Sequence, residues 1–215
     1  MPRVRLAPEG WLFIIPTALL TAAAFLIQWW VAGAVLLLGL LFLLNFFRDP
    51  HRAGSERYID VLSPADGTVV AIKDVPSGDV WDGLTKQVSI FMSVFDVHVN
   101  RAPITGRIIH YRYIPGKKIA AFSEKSSTDN EQNLIVIEDD KGGRVAFKQI
   151  AGLLARRIVF DKKEGDPVVR GERVGMIKFG SRVDIFFPPE TIIQVKMRDK
   201  VKVGLTIIAE LPERA

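Results

Sequence analysis

The residues whose types and order could do chemistry stand at Lys178-Phe179-Gly180-Ser181-Arg182-Val183-Asp184, where a serine follows a glycine between two apolar runs. A serine hydroxyl can attack the carbonyl of its own preceding peptide bond. Gly180 leaves that carbonyl uncrowded and tolerates backbone geometry that a Cβ forbids. The product of such an N-to-O acyl shift is an ester. β-Elimination from it leaves dehydroalanine at position 181, and hydrolysis with loss of ammonia leaves a pyruvoyl group on a new chain end. A second copy of the dipeptide, Gly54-Ser55, lies among His51, Arg52, Glu56 and Arg57. Gly-Ser is ordinary turn composition, so this copy reads as a solvated loop and serves as an internal control.

Buried β structure must position any such serine. After Asp49-Pro50, a natural helix end, short apolar runs alternate with glycine and proline. The pattern predicts strands over 69–72, 87–91, 106–114, 133–138, 144–150, 173–178, 182–187, 191–196 and 205–210. Turn chemistry marks Asp66-Gly67, Asp139 to Gly143 and Glu164-Gly165-Asp166-Pro167. No dinucleotide or phosphate-loop glycine motif occurs, and strands do not alternate with long helices. The expectation is a mainly β fold, sandwich or barrel-like with lipoyl-like hairpin features, in which Gly171 to Gly180 forms a hairpin feeding Ser181. His110 in an alternating strand is assigned to packing and His51 to the surface.

The N-terminus is different in kind. Gly10 to Phe47 holds no charged residue over 38 positions, too many for one helix when about 20 residues cross a bilayer core. A break at Gln28-Trp29-Trp30 leaves two arms, 11–27 and 31–47, which fit a tight helical hairpin. Two full spans and a shallow re-entrant insertion both remain open. Arg3 and Arg5 before it and Arg48 and Arg52 after it place both ends on the cytoplasmic side by the positive-inside tendency. The expected division is a membrane-anchoring hairpin over 1–47 and a β domain over 48–215.

Composition narrows the chemistry further. With no cysteine, disulfides, thiolate nucleophiles and cysteine-ligated metals are excluded, and with three histidines no dedicated metal site is expected. Residues 48–215 carry 27 basic and 23 acidic side chains. That modest excess suits a place beside anionic lipid, and no nucleic-acid module is present.

Four ordered stretches then identify a resemblance. Phe46-Phe47-Arg48-Asp49-Pro50, Ser63-Pro64-Ala65-Asp66-Gly67-Thr68-Val69, Asp96-Val97-His98-Val99-Asn100-Arg101-Ala102-Pro103 and the segment from Glu172 to Pro188 resemble those of phosphatidylserine decarboxylases, pyruvoyl-dependent enzymes that make phosphatidylethanolamine. Gln149-Ile150-Ala151-Gly152 with Ala155-Arg156-Arg157-Ile158-Val159 resembles a further family stretch. The likeness runs from about Phe46 to the C-terminus. Phe179 and Arg182 replace the flanks of the long form's Leu-Gly-Ser-Thr, and Arg101 stands where that form often has a second histidine. Both point to the short bacterial and archaeal branch.

The resemblance implies a cut between Gly180 and Ser181, giving fragments 1–180 (β chain) and 181–215 (α chain) from one precursor. It implies that Ser181 becomes the pyruvoyl cofactor, forming a Schiff base with phosphatidylserine, with no metal required. His98 is then the general base and acid, and Asp66 orients its ring. Arg101 suits a substrate phosphate or carboxylate, or equally a scaffold ion pair. Arg156-Arg157 could face lipid phosphates, though adjacent strand residues point oppositely. Two alternatives stay open: a membrane-anchored lipoyl-like adaptor without catalysis, and a related decarboxylase acting on another serine-headed lipid or an amino acid. Oligomeric state is left open, including a homo-oligomer.

Overall fold

The computed structural model describes residues 4–76, 80, 83–116, 130–152, 158–178 and 181–213. The chain divides into two compact units, Met1–His51 and Arg52–Ala215.

In the first unit, β1 (Val4–Leu6) pairs antiparallel with β2 (Arg48–Pro50), and between them run α1 (Trp11–Leu26) and α2 (Trp30–Phe46). Both helices are built from leucine, alanine and phenylalanine without a charge. The α1 hydroxyls are satisfied internally, as an apolar setting requires: Thr17 and Thr21 return theirs to the carbonyls of Phe13 and Thr17, each at 2.7 Å. The reversal between them turns on Gln28, whose φ of 62° closes α1 while Trp29 N–H donates to the Ala24 carbonyl at 2.8 Å. Gly33 sits against Phe25, where a Cβ would come within 2.7 Å of the ring. Leu26 and Val31 are 82% and 81% exposed, so the chain itself does not bury this apolar surface. Together with the preceding single turn, Pro8–Leu26 is a 19-residue helical segment long and apolar enough to cross a membrane, and Trp30–Phe46 is a shorter apolar helix.

Among its described residues, the regular structure of the second unit is β. In chain order its strands are β3 (Asp60–Leu62), β4 (Gly67–Pro76), β5 (Leu84–Met92), β6 (Val99–Arg101), β7 (Gly106–Ile114), β8 (Gln132–Glu138) and β9 (Arg144–Ala151). There follow β10 (Ile158–Phe160), β11 (Pro167–Val168), β12 (Arg173–Ile177), β13 (Ser181–Phe187), β14 (Ile192–Ile193), β15 (Lys200–Val201) and β16 (Ile207–Glu210). Eight strands form one antiparallel sheet in the order β11-β7-β8-β9-β13-β5-β4-β15, curled into a half-barrel. Two three-stranded sheets, β10-β12-β6 and β14-β16-β3, complete the unit. The expected mainly β fold with an apolar helix pair is therefore the observed one.

β13 lies at the centre of the large sheet, paired on one side with β5 and on the other with β9. Val183, Ile185 and Phe187 enter the main core beside Val88, Ile90 and Phe147. On the opposite face Phe186 packs against Leu134, Val136 and Ala146. Burial on both faces explains why the strand reads as a nearly continuous apolar run.

Two expectations need correction. The hairpin expected over Gly171 to Gly180 does not form, because β12 pairs with β10 and β6 whereas β13 pairs with β5 and β9. The chain changes sheets between Ile177 and Ser181. The strand expected over 191–196 shrinks to Ile192–Ile193, because Lys196 N–H is captured by the Asp199 carboxylate at 2.8 Å and Arg198 adopts φ 73° in the turn that follows.

Candidate active site

Ser181 is the first residue of β13 and is fully buried. In register it stands opposite Met92 on β5 and Ala151 on β9. Its Oγ contacts the Met92 Sδ at 3.2 Å. A thioether is a weak acceptor, so the buried hydroxyl is not tied by a strong hydrogen bond among the described residues. Gly180 lies outside the described residues, as do Phe179, Ala155, Arg156 and Arg157.

The strands that flank the Gly180-Ser181 bond among the described residues lie in different sheets, β12 with β10 and β6, and β13 with β5 and β9. The strands downstream of that bond stay stitched to those upstream, through β13 on β5 and β9, β15 on β4, and β16 on β3.

His98 is fully buried immediately before β6, and its carbonyl accepts from Ile177 N–H at 3.3 Å. That bond sets it against the last residue of β12, four positions before Ser181. Its Nδ1 lies 3.0 Å from the Asp96 carbonyl oxygen. A carbonyl only accepts, so Nδ1 carries a proton toward it. Asp96 is itself fixed: its carboxylate accepts from Ser93 N–H at 2.8 Å and its N–H donates to the Ser93 carbonyl at 2.9 Å. The tight turn between β5 and His98 thus spans the distance from Met92, beside the serine, to the imidazole.

Asp66 has other partners than the ring it is expected to orient. Its carboxylate takes a two-pronged grip from the Arg52 guanidinium, with the second prong at 3.1 Å, and accepts from Val203 N–H at 2.6 Å. Arg52 also donates to the Val203 carbonyl at 3.1 Å. Asp66 therefore ties the segment after the first unit to a loop downstream of Ser181. The adjoining Gly67 has a steric reason to be glycine: a Cβ there would come within 2.2 Å of the Phe91 carbonyl oxygen, on the strand paired with β13.

Arg101 is half-buried, with Nη1 donating to the Gly171 carbonyl at 2.8 Å. His110 is on the exposed side of β7, 3.9 Å from Glu164 Oε2. Near Arg101, burial tends to raise the Glu172 pKa, but hydrogen bonds from Lys162 and Val169 N–H outweigh it and hold the carboxyl below the usual range. Those bonds close the turn entering β12.

Several participants were invisible as chemistry in the sequence. Asn100 Oδ1 accepts from Gln149 Nε2 at 2.9 Å while its Nδ2 donates to the Pro64 carbonyl at 3.1 Å, so a buried amide ties β6 to β9 and to the loop before Asp66. Asp96 acts through its backbone carbonyl, which no side-chain pattern reveals. Among the described residues, no group of histidine, cysteine, aspartate and glutamate is arranged to hold a metal ion.

Comparison with known proteins follows the same line as the geometry. The family profile for phosphatidylserine decarboxylase matches residues 40–209. The phosphatidylserine decarboxylase proenzyme of Solidesulfovibrio magneticus is 45% identical over 210 residues, covering 97% of each chain. That of Solibacter usitatus is 51% identical over 199 residues, covering 91% of this chain and 93% of its own. The proenzyme of Symbiobacterium thermophilum is 40% identical over 213 residues, covering 99% of each.

Proposed function

The chain belongs to the phosphatidylserine decarboxylase family, and from that premise we propose that it cuts itself between Gly180 and Ser181 and then decarboxylates phosphatidylserine to phosphatidylethanolamine. Family membership favours an enzyme over a non-catalytic adaptor. The observation that carries the self-cleavage reading is the position of Ser181: a buried hydroxyl, in contact with a thioether, on a central strand of the large sheet.

In this reading the Ser181 hydroxyl attacks the Gly180 carbonyl while His98 Nε2 takes its proton. The ester forms as the C–N bond breaks, and the freed amine keeps the nitrogen on residue 181. Loss of the Cα proton expels the Gly180 carboxylate. Water then replaces the nitrogen, ammonia leaves, and a pyruvoyl group caps fragment 181–215. The site fits such a group, since the serine side chain is already enclosed by apolar neighbours and presents no competing strong hydrogen bond. The pyruvoyl group supplies an electron sink for the pair released with carbon dioxide. His98, with Nδ1 held by the Asp96 carbonyl, would receive and return a proton through Nε2.

Asp66 enters this reading as an orienting residue only if it exchanges Arg52 for the imidazole. As it stands, it holds the two fragments together through Val203. Arg101 would serve the substrate phosphate or carboxylate by releasing its carbonyl partner. The apolar helix pair of residues 1–47 would hold the β domain at the cytoplasmic face of the membrane, where a lipid substrate is presented. Seventeen helical residues span about 26 Å, slightly less than a bilayer core of about 30 Å, which suits tilted or re-entrant insertion as well as a full span.

The test uses vesicles containing phosphatidylserine. Full-length protein should release carbon dioxide and accumulate phosphatidylethanolamine, whereas protein lacking residues 1–47 should still split but lose vesicle attachment and most turnover. Fully split wild-type protein that releases no carbon dioxide from phosphatidylserine vesicles would reject the substrate assignment.

A further inference from the structure

We propose that Arg182 is a positioning residue which, with Asp184 and Ser89, locks the register of β13 once the chain is cut, a proposal that rests on the cleavage reading above. Arg182 Nε donates to Asp184 Oδ1 at 2.6 Å and its Nη2 donates to Ser89 Oγ at 2.7 Å. Gln87 Nε2 donates to the same hydroxyl at 2.8 Å. Arg182 is 2% exposed, and Asp184 and Ser89 are fully buried. Here is a charged pair, removed from water, one residue beyond the bond that breaks, and the chemistry of maturation does not use it.

Packing alone does not call for such a pair. Desolvating two charges is costly, and apolar residues of similar volume usually serve stability as well or better. What the pair supplies is a distinction that the apolar pattern lacks. On the core face of β13, Val183 and Ile185 stand opposite Ile90 and Val88 on β5. A slip by one residue would turn the core face outward and is forbidden by burial. A slip by two keeps apolar opposite apolar, and it would carry residue 181 about 7 Å along the sheet.

The polar face resolves that ambiguity. Asp184 stands opposite Ser89, and Arg182 reaches diagonally to the same hydroxyl. The neighbouring positions of that face on β5 are Gln87 and Phe91. A two-residue slip would therefore set an amide or an aromatic ring opposite Asp184 and take Ser89 from its place. In the uncut chain, Lys178–Gly180 tethers β13 directly to β12, so register is also held covalently. After the cut that tether is gone, and the reactive end is a chain terminus. The ladders on β5 and β9, the core packing of Val183, Ile185 and Phe187, and the Arg182 bonds then hold it in place.

The experiment uses full-length protein with two sets of changes. Ser89→Ala removes the cross-strand bond and keeps the ion pair, and Arg182→Met with Asp184→Leu removes both charges while keeping apolar bulk. Splitting and fragment mass are followed first, then kcat and KM on phosphatidylserine vesicles. Both forms should split and carry the pyruvoyl group, with kcat reduced about 10- to 100-fold, the scale of a misplacement near 1 Å, and KM little changed. Arg182→Lys should retain part of the loss. Amide hydrogen exchange over residues 182–185 should accelerate in cut Ser89→Ala protein but not when Ser89→Ala is combined with the uncuttable Ser181→Ala. Wild-type kcat in Ser89→Ala protein of full pyruvoyl content would overturn the lock, and so would equal acceleration of exchange in cut and uncut chains. If the double variant does not fold, Ser89→Ala decides alone. Wild-type protein that lacks the pyruvoyl group would instead reject the cleavage reading.

Discussion

Ser55 and Ser181 carry the same hydroxyl after the same residue, and their surroundings separate them. Ser55 lies in a half-buried loop rather than a solvated one; its Oγ donates to the buried Asp60 carboxylate and accepts from Arg57 N–H at 3.2 Å. Gly54 is required by close backbone approach, since a Cβ would come within 2.4 Å of the Gly204 carbonyl oxygen. Both residues of that pair have complete structural roles. Ser181 is buried more deeply, yet among the described residues its hydroxyl meets a thioether. On the proposed reading, the dipeptide confers no reactivity by itself; what matters is a hydroxyl on a central strand that is excluded from water and meets a thioether among the described residues.

The sharpest way to break this comparison is to exchange the two serines for alanine separately. Ser181→Ala should remain a single 24.0 kDa chain. Ser55→Ala should split at the wild-type rate and lose about 2 kcal/mol of stability, the scale of a hydrogen bond to a charged group, measured by urea unfolding of the uncuttable form. A Ser55→Ala chain that fails to split while remaining folded would dissolve the distinction.

His98→Ala comes next. Removing a general base slows a reaction by about 10² to 10⁴-fold, so uncut chain should accumulate in a time course sampled from the start of synthesis. His110→Ala, on the exposed side of β7, should split normally. Equal rates in the two variants would make His98 a packing residue.

A smaller effect is expected for Asp66→Asn. The amide retains an acceptor for Val203 N–H but gives up the ion pair with Arg52. Splitting should slow less than in His98→Ala, and the cut fragments should separate at lower denaturant. Unchanged fragment dissociation with strongly slowed splitting would favour the orienting role over the scaffold role.

The long strands were legible because alternation and glycine punctuation survive in the sequence: the span expected over 106–114 is β7 itself, and that over 144–150 falls one residue short of β9. The short strands β3, β6, β10 and β15 were not legible, since two or three residues carry no period and their pairing is set by distant partners. The 38 uncharged residues announced a helix pair by composition alone, and Gln28 in the left-handed region marks the break read at 28–30. Ser181, His98 and Asp66 were found through motif resemblance, but their partners were not. Nothing in the residue types says that Asp66 will hold Arg52 and Val203, or that His98 will lean on a backbone carbonyl. Those contacts arise from long-range register, as does the switch of sheets that replaced the expected hairpin.

The most direct test of the central claim is the mass of the small fragment after purification of the wild-type protein under denaturing conditions. The account predicts a 35-residue piece of about 4 kDa, residues 181–215, whose N-terminus carries a carbonyl that reacts with hydrazine and resists Edman degradation. An intact 24.0 kDa chain, or a fragment beginning with a free serine amine, would contradict it.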